Sequence, residues 1–249
     1  MKIDFGAACK DLFSTEKKWN TILGLAVCTI IPVVGPLVAL GYLFRRFSRE
    51  RSGLGKDDFD FSYFSNYLTA GVWPFVSTLV LTFCVMPLVF LAEIPIFGAV
   101  FVAEENEVLA IILGVVGFIL YIAVLILITL LTYPVMLRSG LMMDFKAGFS
   151  KSFILGFIKK VGGSLLLWIF VIALLAYPAM IMGVLAFFVG VFVVAVWIQF
   201  AMFHLLFQHY DLYLHRGGEP IEINPELIQD IGNPPLPQTS LPTSPELPQ

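Results

Sequence analysis

The sequence predicts an all-α, polytopic transmembrane helical bundle, with four long spans plus a broken N-terminal hairpin and cytoplasmic interfacial amphipathic helices. Three observations carry this. The stretches 19–44, 61–92, 108–137 and 161–210 contain no Asp, Glu, Lys or Arg, and a spanning helix needs about 20 mostly apolar residues because lipid offers its backbone no other hydrogen-bond partner. With 59% hydrophobic and 13% charged residues, the chain has roughly half the charge usual in a soluble domain. Finally, Lys and Arg fall into blocks at 2–18, 45–56 and 138–160, with Arg216 beyond them, while 93–107 carries Glu93, Glu104, Glu105 and Glu107 and no base.

That asymmetry sets the expected orientation. By the positive-inside rule the 45–56 and 138–160 blocks are cytoplasmic and the acidic segment external, so 72–92 runs outward and 108–137 inward. The fifty-residue run 161–210 is long enough for two spans, and Tyr177-Pro178 through Gly183 is the expected turn between them. Its end returns to the cytoplasm with Arg216, which places the protein in the cell membrane with a cytoplasmic C-terminus.

The first stretch is read differently. Pro32-Val33-Val34-Gly35-Pro36 sits at its midpoint, and two prolines with a glycine remove backbone donors and favour a break. A short hairpin is favoured over a single span, because it keeps the N-terminus and all fifteen basic residues on one side. Arms of about a dozen residues reach only ~18 Å and do not cross a ~30 Å core. Such a hairpin is re-entrant and is expected to need protein around its turn.

Asp4-Phe5, Asp60-Phe61 and Asp144-Phe145 each open an amphipathic segment that leads into an apolar hairpin candidate, suggesting a threefold repeat. An Asp in N-cap position satisfies orphan backbone donors and suits the positive helix end. In the third copy Phe145, Phe149, Phe153 and Phe157 recur every four residues with Lys146, Lys151 and Lys159 off the stripe. This predicts interfacial helices whose Phe face enters the acyl boundary while Lys146, Lys151, Lys159 and Lys160, with Arg45 and Arg46, contact lipid headgroups. The integral membrane domain is expected over 1–216. Residues 217–249, rich in Pro, Ser, Thr, Gln and Glu, are expected to be a disordered cytoplasmic tail, and Pro242-x-x-Pro245-x-x-Pro248 could dock a partner's aromatic groove.

Few polar groups lie in the apolar segments. Glu93, Gln199, His204 and Gln208 form the candidate polar pathway of a small transporter or channel; His204 and Gln208 are four apart and share a helix face. The competing reading puts Glu93 at headgroup depth and the others at the cytoplasmic end of the last span. Tyr133-Pro134-x-Met136 recurs as Tyr177-Pro178-x-Met180 and marks two places where a span bends. Cys9, Cys28 and Cys84 show no metal-ligand or redox spacing and read as small core residues. No nucleophile elbow, zinc-protease, P-loop or dinucleotide-binding motif occurs, so no catalytic residue, metal or cofactor is predicted. The net charge of −3 argues against nucleic acid as a partner. No glycosylation sequon or lipidation motif is present, consistent with a prokaryotic source.

The first third has a distinctive order. An amphipathic lead from Ile3-Asp4-Phe5 to Lys18-Trp19 is followed by an apolar run broken at Ile31-Pro32-Val33-Val34-Gly35. Then come Gly41-Tyr42-Leu43-Phe44-Arg45-Arg46 and an acidic segment Asp57-Asp58-Phe59 leading to Leu68-Thr69-Ala70-Gly71. This order resembles the prokaryotic multi-pass membrane family called domain of unknown function 4013, most closely over 1–75. Leu54-Gly55-Lys56-Asp57 departs from the Leu-Pro-x-Trp element often found there. The resemblance implies an integral membrane protein and brings no substrate or catalytic residue. The functional expectation is a non-enzymatic lipid-interacting or partner-binding membrane protein, with the small transporter or channel as the alternative.

Overall fold

The computed structural model describes residues 2–14, 17–186 and 189–229. Among these the fold is all-helical, and four of its helices are long and apolar enough to cross a membrane. The short α1 (Phe5–Lys10) and a 3-10 turn (Asp11–Ser14) precede a helical hairpin of α2 (Lys18–Ile30) and α3 (Val34–Arg51). A 3-10 turn (Phe61–Tyr63) opens α4 (Phe64–Val102), which pairs with α5 (Glu107–Met142). The small α6 (Phe145–Gly148) opens a third hairpin, α7 (Lys151–Leu185) with α8 (Val189–His215), and α9 (Pro225–Ile228) follows.

The three Asp-Phe starts act as helix caps. Asp4 accepts from the Ala7 N–H at 2.8 Å, Asp60 from Ser62 at 2.8 Å and Asp144 from Lys146 at 2.9 Å. Each side chain thus satisfies a donor that a helix start leaves orphaned. Three capped starts lead to three hairpins.

The first of these breaks where two prolines make a break cheap. Pro32 and Pro36 have no N–H, and the turn pairs others locally: Ile31 N–H with Cys28 O at 2.9 Å, Val34 N–H with Pro32 O at 2.8 Å, and Gly35 N–H with Ile31 O at 2.9 Å. Val33, at φ 66° and ψ −55°, is the centre of a tight three-residue turn that a β-branched residue adopts only under strain. Contrary to expectation, no described residue encloses this turn. Ile31, Pro32 and Val33 are exposed, and because the backbone has so few unmet donors, the loop does not depend on enclosure. At 13 residues α2 is ~20 Å long, short of a ~30 Å apolar core.

Hairpin one meets hairpin two through glycine. A Cβ on Gly41 would lie 1.8 Å from Tyr67 O, and one on Gly71 would lie 1.8 Å from Leu37 O. The backbones of α3 and α4 are therefore in direct contact, which only hydrogen in place of a side chain permits.

Two boundaries differ from expectation. The last hairpin does not turn at 177–183; α7 continues through Pro178 to Leu185, and Gly183 meets Gly190 backbone to backbone just before the bend. A proline inside a membrane helix is tolerated because leaving the helix in lipid would expose many more polar groups. Likewise α4 runs through Pro87 and Pro95 to Val102, so Glu93 is a helix residue rather than part of a loop.

The amphipathic lead of the third unit is also not a separate interfacial helix. At 35 residues α7 is ~52 Å long, so its first turns extend past a ~30 Å core as a continuation of the span. Phe153 and Phe157 are 0% exposed and pack on the Tyr213 ring, 5.4 Å from each, so the inner half of the Phe stripe faces α8 and not lipid. Residues 217–229, read from composition as the start of a disordered tail, fold back onto the bundle. Ile221 donates its N–H to Tyr210 Oη at 2.6 Å, Asn224 N–H reaches Leu141 O at 2.8 Å, and Ile221 and Leu227 are buried. Pro242, Pro245 and Pro248 lie outside the described residues.

Candidate functional site

The ends of the helices that carry Lys and Arg are held together at one end of the bundle. Lys17 N–H meets Asp58 Oδ2 at 3.2 Å, Arg51 pairs with Asp211, and Lys160 donates to Arg216 O at 2.6 Å. At the centre of this end is Asp11, only 2% exposed. Arg46 Nη2 lies 3.2 Å from its Oδ2, Lys56 Nζ 2.6 Å from its Oδ1, and His204 Nδ1 3.7 Å from its Oδ2. Arg46 is 0% exposed and also donates to Asp57 O at 3.3 Å and lies over the Phe200 ring at 5.2 Å. Burial opposes the Asp11 charge, but its His204, Arg46 and Lys56 neighbours outweigh burial and hold the carboxyl well below the usual carboxylate range.

A second cluster adjoins it. Arg45 Nε and Arg49 Nε lie 3.2 and 2.9 Å from Asp57 Oδ2. The same two guanidiniums grip the C-terminal segment, Arg45 Nη2 donating to Gln229 O at 2.6 Å and Arg49 Nη1 to Ile228 O at 2.9 Å. Being four apart on α3, they present one face and act as a clamp for orphan carbonyls at the end of α9.

Both clusters are built from groups far apart in the chain, so the ionic layer ties the N-terminal segment, α3, α8 and the C-terminal segment into one unit. Breaking such a layer leaves a buried unpaired charge, which costs about 3–5 kcal/mol. Its chemistry is structural: each acid is neutralised by a base at hydrogen-bonding range.

The sequence-predicted residues distribute unevenly over this frame. Arg45 and Arg46 do not reach headgroups, because their guanidiniums turn inward to Asp57 and Asp11. Lys160 is half-buried and engaged by the Arg216 and Gly217 carbonyls. Lys146, Lys151 and Lys159 are exposed and have no ion pair among the described residues. His204 and Gln208 do share a face, but it faces the N-terminal segment. Gln208 Oε1 accepts the Asp4 N–H at 2.7 Å and Gln208 Nε2 donates to Asp4 O at 2.9 Å, a two-point grip on the chain start. These two residues line a small cavity of about 220 Å³ with Phe47, Glu50, Arg51 and Asp211. Gln199 and Glu93 are half-buried, and neither lines this cavity. The four candidate pathway residues are thus not brought together.

A larger cleft, about 890 Å³, was not anticipated. It lies between one face of α2, the Asp57–Phe61 segment and the start of α4. Asp11, Lys56, Asp57 and Asp58 are the site residues that sequence reasoning passed over. A signal existed in Arg45, Arg46 and Arg49 on a helix continuous with an apolar run, followed within a dozen residues by paired aspartates.

A family model described as "Protein of unknown function (DUF4013)" matches residues 24–187. The chain belongs to this family. The match begins inside α2 and runs through α7, so it takes in the hairpin, the Gly41–Gly71 crossing and the Arg45-Arg46 pair, and it extends well past the first third. Asp11, His204 and the C-terminal segment lie outside it. No curated protein and no solved structure matches the chain. As a member of DUF4013 with four apolar helices of spanning length, it is a membrane protein by fold.

Proposed function

We propose that this DUF4013 protein is a non-enzymatic, lipid-interacting protein of the cell membrane, with its base-rich end on the cytoplasmic side and anionic headgroups meeting Lys146, Lys151 and Lys159. The observation that carries the reading is a division of labour among the bases. Arg45, Arg46 and Arg49 are consumed inside the protein, whereas these three lysines stand exposed on α6 and the first turns of α7 with no acid to pair with among the described residues. The positive-inside rule assigns the side. That the buried ionisable groups neutralise one another supports a structural rather than a reactive role for them.

Each juxtamembrane lysine near an anionic surface contributes about 1 kcal/mol, less in salt. Extracting the protein from a membrane of mixed neutral and anionic lipid and weighing the retained lipids tests this. The native protein should keep anionic lipid several-fold over its share of the bilayer, and the triple variant Lys146→Gln, Lys151→Gln, Lys159→Gln should keep about its share. Equal retention by both proteins would overturn the reading.

A further inference from the structure

The 890 Å³ cleft has one aromatic wall. Phe59, Phe61, Tyr63 and Tyr67 line it from the segment that opens α4, and neighbouring rings lie 5.0–6.5 Å apart, so the wall is continuous. Phe61 is 55% exposed, and on the α2 side Leu23 and Val27 are 56% and 53% exposed. The aspartates of the cleft call for no cation, because Asp57 is paired with Arg45 and Arg49, Asp58 accepts the Lys17 N–H and Asp60 accepts that of Ser62. What the lining still offers is ring faces, apolar surface and the donors of Asn20 and Tyr63. Those are the parts of a groove for polyproline II: a proline-rich segment lays its rings on aromatic side chains and, having no internal hydrogen bonds, leaves its carbonyls for donors.

The chain carries such a segment to the edge of the cleft. Arg45, which lines it, donates to Gln229 O at 2.6 Å. Gln229 leaves α9 at φ −63° and ψ 141°, which is polyproline II backbone. Residues 230–249 lie beyond the described ones, and their sequence runs on through Asn233-Pro234-Pro235-Leu236-Pro237 with no charged residue from Ile231 to Pro245. An uncharged segment suits a cleft whose own charges are matched. At ~3.1 Å per residue, 230–237 reaches ~25 Å, more than the ~15 Å that separates Lys17 from Val27 along α2. Attachment this close raises the segment's local concentration to the millimolar range, enough to seat a motif of weak intrinsic affinity. The tail of a second copy lacks that advantage, and an acyl chain would leave the polar end of the cleft unfilled.

We propose that this cleft is the docking site of the chain's own Pro234-Pro235-Leu236-Pro237 segment, its proline rings on Phe61 and Tyr63 and Leu236 against Leu23 and Val27. The inference goes beyond the lipid contacts of Lys146, Lys151 and Lys159 and uses none of them.

The test is photo-crosslinking of the full-length protein in vesicles of phosphatidylethanolamine and phosphatidylglycerol, with Leu23→p-benzoylphenylalanine as the probe and ordinary and ¹⁵N-labelled chains mixed. Illumination should join position 23 to peptides from 230–249 of the same chain. Replacing Pro234, Pro235 and Pro237 together by Ser leaves the described fold untouched and should lower that product about fivefold, as should Phe61→Ala through loss of a ring contact. The same probe at Phe101, exposed in the outer α4–α5 hairpin, should give no product with the tail. Products with lipid alone, products that join an ordinary chain to a labelled one, equal tail products from positions 23 and 101, or unchanged yields in both variants would overturn the assignment.

Discussion

The base-rich end and the outer half of the α4–α5 hairpin are both helical, yet they are held by different means. At the base-rich end the N-terminal segment, the α2–α3 hairpin, α8 and the C-terminal segment interlock through buried aromatics and ionic clusters. Phe44 meets Phe203 and Phe207 edge to face and Phe47 stacks on the same two rings, with centroids 5.1–6.4 Å apart, and Arg46 and Asp11 are sealed among such groups. In the outer half of the α4–α5 pair, large side chains such as Phe97, Val100, Phe101 and Ile111 are exposed, Phe101 at 81%. The first region owes its geometry to protein contacts. The second leaves its geometry to helix length and lipid, because a helix in hydrocarbon satisfies its own backbone and its apolar face needs no protein partner.

Substitutions sharpen this contrast. Gly41→Leu should be the most damaging, costing more than about 4 kcal/mol, since even a Cβ would overlap the Tyr67 carbonyl; loss of monodisperse protein in detergent reads it out. Gly114→Ala, in the outer hairpin, where the nearest foreign atom is 3.9 Å from the added carbon, should be neutral or stabilising by up to ~1 kcal/mol. Comparable losses in the two would abolish the distinction.

Asp11→Ala comes next, at about 3–5 kcal/mol near neutral pH, because Arg46 would be left charged and buried. The sign with pH follows from the lowered carboxyl. The Asp11 contribution is full above the unfolded value of about 3.9 and fades as pH falls through that value toward the lower folded one. Thermal unfolding from pH 7 downward should therefore show the native protein losing part of its advantage over the variant only below about pH 4. A constant gap throughout would mean that Asp11 acts by packing alone.

Gln208→Leu removes both bonds to Asp4 and should cost about 1–2 kcal/mol, seen as faster proteolysis within the first dozen residues while the spans stay protected. Phe101→Ala should be smallest, within about 0.5 kcal/mol. A larger effect on melting would show that a protein surface covers that face.

The four spans, the hairpin break and the capping aspartates were legible because each is written within a few neighbouring residues. Length and absence of charge mark a span, the Pro32–Pro36 pair marks a break, and Asp before Phe marks a start. What escaped depends on distant partners. A Phe stripe at four-residue spacing reads the same whether lipid or Tyr213 lies opposite, and Arg45-Arg46 at the end of an apolar run looks like a headgroup anchor until Asp11 and Asp57 arrive from elsewhere. The 217–229 segment has a tail's composition but holds Ile221 and Leu227, two apolar residues whose burial only the assembled bundle makes possible. The end of α7 at Leu185 differs from the expected turn because Tyr177-Pro178 is the stronger local breaker, and in lipid the cost of ending a helix overrides that preference.

The grip of Gln208 on Asp4 has a consequence for the order in which the molecule is made. The two residues are 204 positions apart; at about 5–20 residues per second of synthesis, ~10–40 s pass between their appearances. During that interval Asp11 has none of its His204 contact and α1 has no α8 to lie on, so a segment made before all four long helices is among the last to find its place.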